Sequence, residues 1–575
     1  MDFGNPSASA SRCMTALAEY HLLFGYRGES QKMQCQIWSH LSRRRTALAA
    51  ALLAPLLLFV FCASAQAPHP LTPAEKQRVD ELVKSMSLQQ KLDYIGGTGF
   101  AARPVPELKI PALEMSDGPY GTRSNFGFPS TTYAAGSSLA ASWDRALAAE
   151  VGAGIGRDAR ARGVHFMLGP GVNIYRSPLN GRNFEYFGED PFLASAIAVG
   201  YIRGMQEQGV SATVKHFLGN NSEFLRHDSD TIVDDRTAHE IYLPAFEAAV
   251  KEAHVGAVMD SYNLINGEHA TQNRHFNIDI LRKDWGFEGV LMSDWDATYD
   301  AMAPANNGLD IEMPTGKFMN SKNLKPLIDS GKVSQGTIDE KVRHILSTAM
   351  SFGWLDRDQK QSEESVLDSR NTAAALQAAR EGIVLLKNTG GLLPLDKSKI
   401  KTLLVVGPDA YPAVPVGGGS AGVVPFRSTS SLLGISDLVV TGTSVLYDRG
   451  VPTMNQITNG PSWTTAAANG KTGVTLETFA NAELSGSPAV SIVPHMKLEG
   501  LSIKLLMEDI ESAMAIFMSG PKPSSHRLTG YFTPPQAEKY IVAVEGSGEG
   551  SGFRVSIDDK VLFAMGEPPA LPGWQ

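Results

Sequence analysis

Between Pro70 and about Gly353, short apolar runs alternate with amphipathic helical stretches, and that alternation narrows the possible folds more than any other feature. VHFMLGPGVNI (164–174), VSATVKHFLG (210–219), VGAVMDSYNL (255–264) and GVLMSDW (289–295) read as buried strands. Helical patterns separate them, as at 238–253. LTPAEKQRVDELVKSM (71–86) opens with Thr72 as a helix cap and Pro73 at the first helical position. Strands alternating with helices at this spacing imply a parallel sheet, and the length suits an α/β fold of the (β/α)8 TIM-like type, about 250 residues.

Each apolar run ends in a polar cluster: Asn173 and Arg176, Lys215 and His216, Tyr262 and Asn263, and Asp294. In a barrel of this kind the C-terminal strand ends carry the chemistry, so four strands would deliver polar groups to one rim. Buried polar groups are costly without partners, which argues against chance placement.

Bulk properties exclude several classes. At 575 residues the chain exceeds one hydrophobic core, and 43% hydrophobic with 19% charged residues is ordinary for a folded protein. A net charge of −9 and the lack of a long basic run in the body argue against nucleic acid as a partner. Residues 1–67 read as a leader with a signal peptide. Arg43, Arg44 and Arg45 precede an apolar stretch to Phe61 and the small residues Ala63–Ala67, with cleavage expected after Ala65 or Ala67. The run is short of the roughly 20 residues of a membrane span, so export to a periplasmic or extracellular location is expected, with no stable span after cleavage. An uncleaved anchor is the alternative, and Met33 is a second candidate start. Cys13, Cys35 and Cys62 all lie in this leader, so a processed chain has no thiol chemistry or disulfide.

The pattern divides the remainder. Residues 70–353 form the expected barrel and 354–374 a linker. Residues 375–450 begin a second α/β sandwich domain, with TLLVVGPDA (402–410) as a buried strand. From about Thr472 to Gln575 period-2 patterns with Gly, Pro and Ser turns indicate an all-β segment.

Asp294 is the centre of the chemical reading. It lies where a strand meets its loop, beside Trp295, whose indole suits the C–H face of a sugar ring while hydroxyls seek charged partners. Lys215 and His216 offer donors, expected to turn toward a ligand past their strand's end. Arg182, in a Gly-rich turn with Asn183 and Glu185, can be held by carboxylates while reaching hydroxyls. Asp117 in MSDGPYGTR suits two vicinal hydroxyls. Asp296, Glu185, Glu189 and Asp190 read as structural. No histidine spacing matches a metal motif, so no metal or other cofactor is inferred. GAGIGRD (152–158) and Gly417–Gly422 lack the context of phosphate loops and read as tight backbone packing.

MSDGPYGTR, GRNFEYFGEDP, KHFLGNN, VMDSYNLING, GVLMSDWDA and EGIVLLKN with LLPL, in order over roughly 75–425, resemble glycoside hydrolase family 3, most closely its β-glucosidases. The resemblance implies that Asp294 is the nucleophile, that Asp117, Arg182, Lys215, His216 and Tyr262 bind the sugar, and that Met259 and Trp295 line its subsite. It implies a β-linked oligosaccharide or aryl glycoside as substrate. A β-xylosidase, or a carbohydrate-binding chain without efficient turnover, is the alternative. KHFLGNN departs from the KHFPGHG-like motif of the N-acetylglucosaminide-cleaving branch. TLETFANAELSGSP (475–488) and LTGYFTPPQAEKYIVAV (528–544) resemble the protective-antigen-type β-sandwich inserted in some members, here over 472–575 and incomplete. Family members take their acid/base Glu from sequence after that insert, so the resemblance implies a truncated chain without that residue. Glu223 and Glu312 belong to the barrel and read as structural.

Overall fold

The computed structural model describes residues 67–123, 128–361, 367–415, 417–439, 441–453, 462–498, 524–534 and 553–565. The signal peptide and its cysteines lie outside the described residues, as do 535–552 of the expected β-sandwich.

The first helix, α1 (Pro73–Ser85), forms where the sequence predicts it. Thr72 accepts from the Glu75 N–H while the Glu75 carboxylate accepts from the Thr72 N–H, a reciprocal box worth about 1 kcal/mol. Strands β1 (Ala101–Ala102), β2 (Leu113–Asp117), β3 (Phe166–Leu168), β4 (Ser211–Phe217), β5 (Ala257–Asp260) and β6 (Val290–Ser293) form one sheet in sequence order. β2 to β6 pair in parallel, whereas β1 runs antiparallel to β2. The predicted runs at 164–174, 210–219, 255–264 and 289–295 each contain one of these strands.

Eight parallel strands were expected, and here the structure corrects the reading: the described sheet has six, one of them reversed. Single-residue pairings continue it. Met292 pairs with Ile311, Glu312 with Gly96, and Gly97 with Ala102 of β1, so main-chain pairing runs from β6 round to β1. Elements this short leave no period-2 pattern. Gly97 is required at this junction, because a Cβ there would meet Met313 Sδ at 2.5 Å.

Helices α2 (Arg145–Ala161) and α3 (Pro191–Gln206) cover the outside of β3 and β4. Asp190, predicted structural, caps α3 through the N–H groups of Phe192 and Leu193. The GAGIGRD segment lies in α2. A Cβ on Gly152 would stand 2.0 Å from the Tyr201 carbonyl oxygen, and one on Gly204 1.9 Å from that of Ala149. These glycines let two helix backbones touch. Gly417 likewise packs on the Phe184 ring.

Helix α4 (Ser369–Glu381) begins inside the predicted linker. It is tied to α2 by Asn371, which donates to Asp158 Oδ1 at 2.9 Å and accepts from Arg157 Nε at 2.9 Å. Beyond it, β7 (Thr402–Val406) and β8 (Ser444–Asp448) pair in parallel, with helix α5 (Ser431–Leu438) between them. β9 (Val474–Phe479) pairs antiparallel with 489–493 and 525–529, and a separate hairpin joins 553–557 to 560–565. No helix among the described residues is long and apolar enough to cross a membrane.

Candidate active site

The C-terminal ends of the parallel strands converge on one carboxylate. Asp294 follows β6 directly and is buried. Its Oδ1 accepts from the Trp295 N–H at 2.7 Å and from the Tyr262 hydroxyl at 3.0 Å, and His216 Nε2 stands 3.5 Å from Oδ2. Burial raises the Asp294 pKa from its ordinary value, while Arg182, Lys215, the Trp295 N–H and Arg226 oppose that rise.

His216 is held neutral. Burial, with Arg182, Lys215 and Arg226 around it, pushes its pKa well below the usual range. The Tyr186 hydroxyl, kept protonated chiefly by burial, lies 3.4 Å from His216 Nδ1. If Nδ1 accepts that proton, Nε2 carries the hydrogen and faces the Asp294 carboxylate, the tautomer this arrangement favours.

Lys215 and His216 lie inside β4, which corrects the expectation that they follow its end. The pairing of β4 with β5 slips between Lys215 and Phe217. Such a bulge breaks the alternation of side chains and lets both neighbours serve one site. Lys215 Nζ reaches Asp117 Oδ1 at 3.0 Å, and His216 reaches toward Asp294. Asn173 fixes the bulge, accepting from the His216 N–H at 2.8 Å and donating to its carbonyl at 2.9 Å.

Asp117 is the last residue of β2, a strand the sequence pattern did not mark. It is buried, with Arg123 at 4.0 Å from its other oxygen. Arg182, on the loop after β3, is also buried; its Nε donates to Glu185 and its Nη1 lies 3.8 Å from Glu223. Burial opposes its charge, but Glu185, Tyr186, Glu223 and Asp294 outweigh that and raise its pKa well above normal. Met259 lies buried in β5, in register with Lys215 and Met292. Trp295 is half-buried and tilts against Phe100 with ring centroids 4.8 Å apart. Its Nε1 finds no acceptor among the described residues.

The competing carboxylates are occupied elsewhere. Asp296 is exposed in a left-handed turn (φ 60°), its N–H bonded to the Met313 carbonyl. Glu312 accepts the backbone N–H groups of Phe318 and Met319. Glu189 is exposed. Sequence reasoning left Glu223 unconnected to the site; it is the shared partner of Arg182 and Arg226, a pairing made by two loops some 40 residues apart and invisible in local pattern.

A ring of strand ends presenting a buried, partnered carboxylate amid two cations, a neutral imidazole and an indole is the architecture of a sugar-processing α/β protein. Residues 85–348 match the glycosyl hydrolase family 3 N terminal domain, and residues 383–551 match the glycosyl hydrolase family 3 C-terminal domain. The chain belongs to glycoside hydrolase family 3. Its relatives include thermostable beta-glucosidase B of Acetivibrio thermocellus, 40% identical over 360 residues that cover 61% of this chain and 47% of that protein. The fold is similar to beta-glucosidase 3B from Thermotoga neapolitana in complex with alpha-D-glucose. There the TM-score is 0.60 and the identity 32%, covering 64% of this chain and 55% of that one. DesR, a beta-glucosidase from Streptomyces venezuelae in complex with D-glucose, gives a TM-score of 0.62 at 31% identity, over 71% and 55%. The chain spans about half the length of the curated relatives it matches. The C-terminal-domain match runs past position 472, so it overlaps the segment expected to be an inserted sandwich.

Proposed function

We propose that this chain carries the sugar-cleaving site of a retaining β-glycosidase of the β-glucosidase type. Its substrates are terminal β-D-glucosyl residues of oligosaccharides or aryl glycosides. The observation that carries the reading is the setting of Asp294: buried, one oxygen fixed by two donors, and surrounded by Arg182, Lys215 and neutral His216. Such a carboxylate is aimed and ionisable without being neutralised by a direct ion pair, as an attacking group must be.

Asp294 forms a bond to the anomeric carbon as the glycosidic C–O bond breaks. A general acid, assigned to no residue of this chain, protonates the departing oxygen. Water then cleaves the glycosyl–Asp294 ester to release the sugar with its original configuration. Asp117, Arg182, Lys215, His216 and Tyr262 hold ring hydroxyls, and Met259 and Trp295 line the apolar face. The unpaired Trp295 Nε1 is a donor available to such a ligand. The scheme uses no cofactor.

Finer structural readings accompany this one. The single-residue pairings that return the sheet to β1 support a TIM-type barrel in abbreviated form. The antiparallel strands of 474–529 are consistent with a protective-antigen-type sandwich. The basic flank and apolar run of residues 43–67 support export, which sequencing the N-terminus of secreted protein would check.

Intact-mass analysis after exposure to 2,4-dinitrophenyl 2-deoxy-2-fluoro-β-glucoside tests the nucleophile, since this leaving group needs little protonation. A stable adduct mapping to Asp294 is expected. Asp294→Asn is expected to lower glycosylation by at least about a thousandfold. An adduct on another residue, or an active Asn variant, would refute the assignment.

A further inference from the structure

Arg226 stands outside the residues assigned to the sugar, on the loop after β4. Its guanidinium carbon lies 4.0 Å from the centroid of the Tyr262 ring, well within cation–π range. Glu223 steadies it there. Arg226 Nη1 donates to Glu223 Oε2 at 3.1 Å, while the other Glu223 oxygen faces Arg182 at 3.8 Å. One carboxylate therefore links a sugar-site arginine to the arginine above Tyr262.

Tyr262 is held on other sides too. The His227 ring meets it edge-on with centroids 4.7 Å apart, and His227 Nδ1 lies 2.8 Å from the Tyr299 hydroxyl. That hydroxyl donates to the Tyr262 carbonyl at 3.0 Å, and Tyr299 stacks on His269 at 3.6 Å. Ring and backbone are both fixed, so the Tyr262 O–H reaches Asp294 Oδ1 in one pose. A cation above a phenol withdraws electron density from the ring and makes its O–H a stronger donor; a stronger donor favours the ionised carboxylate that accepts it.

We propose that Arg226 is a positioning residue for the nucleophile, acting through the Tyr262 ring to aim and strengthen the hydroxyl bonded to Asp294. The inference rests on the reading of Asp294 as nucleophile. The titratable and charged groups facing Asp294 are Arg182 from the loop after β3, Tyr186 beyond it, Lys215 and His216 from β4, Arg226, Tyr262 after β5, and Tyr299. Arg226 is the member that also touches the donor of the Asp294 bond.

The test is the burst of dinitrophenolate from 2,4-dinitrophenyl β-glucoside, followed against pH for the parent chain, Arg226→Met, Arg226→Lys, Tyr262→Phe and the Arg226→Met/Tyr262→Phe double variant. Arg226→Met should slow glycosylation about tenfold and move the acidic limb of the profile to higher pH, because the carboxylate loses support. Arg226→Lys should recover part of both effects, because a cation remains above the ring. With Tyr262→Phe already present, losing Arg226 should change the rate less than about twofold, since the residue through which it acts has lost its hydroxyl.

Three results would overturn the proposal. One is an Arg226→Met rate and profile equal to the parent's. Another is an equal loss with and without the Tyr262 hydroxyl. The third is a loss confined to glucose affinity with the acidic limb unmoved, which marks direct sugar contact. A parent chain that releases no dinitrophenolate would sink the hydrolase reading first, and this inference with it.

Discussion

Residues 73–351 and residues 383–565 use their apolar side chains in opposite ways. In the first region every residue of β3 to β6 is buried, and ionisable groups are buried with them. In the second, β7 and β8 alternate between half-buried and exposed, with Leu404 and Val406 each 58% exposed. Electrostatics differ accordingly. Burial moves Asp294 and His216, whereas the pKa of Asp396 is lowered at the surface by hydrogen bonds from Ser398 and Lys399. The difference shows where chemistry can reside. Only a dry, closed-in strand end lets a neighbouring charge or hydroxyl change what a carboxylate does.

The sharpest way to break the comparison is to cut an ion pair in each region. Lys215→Met leaves Asp117 buried with Arg123 as its remote partner, and should cost about 3–5 kcal/mol in chemical denaturation. Arg527→Met removes a bond to Glu477 at a half-exposed strand pair and should cost at most about 1 kcal/mol. Equal costs would erase the distinction.

Glycine substitutions sharpen it. Gly152→Ala drives a methyl into the Tyr201 carbonyl and should destabilise by about 1–3 kcal/mol. Gly434→Ala, inside α5 with its nearest neighbour 3.7 Å away, should be neutral or stabilise by up to about 1 kcal/mol. Thermal melts of the two variants decide it.

The smallest effect concerns pH. Because burial raises the Asp294 pKa, the folded chain keeps a proton that the unfolded chain has released. Between the two pKa values stability falls as pH rises, and above the folded value the full penalty remains. Asp294→Asn should therefore melt above the parent at pH 7, with the gap closing as pH falls toward 3.8. A gap independent of pH would trace the effect to packing instead.

Much of this was legible from residue order. Four long apolar runs announced β3 to β6, and GVLMSDWDA placed Asp294 at a strand end. The rest was hidden for identifiable reasons. β2 is five residues long beside Pro111, and the pairings at 96–97 and 311–312 are single residues, too short for any periodic signal. The bulge in β4 depends on Asn173, 43 residues away. Arg226 and Glu223 acquire meaning only once folding brings their loop over Tyr262 and against Arg182.

The slip between Lys215 and Phe217 has a consequence for how this segment can diverge. It acts as a phase change in a two-beat pattern, so residues before and after it are read against opposite walls. Point replacements at Ala212 or Val214 alter volume and leave the phase intact. A single-residue insertion or deletion anywhere in 211–217 would exchange the walls for everything downstream, taking Lys215 from Asp117 and His216 from Asp294 in one event. The length of β4 is thus more tightly constrained than its composition, and a library that varies side chains there should retain far more sugar-binding members than one that varies length.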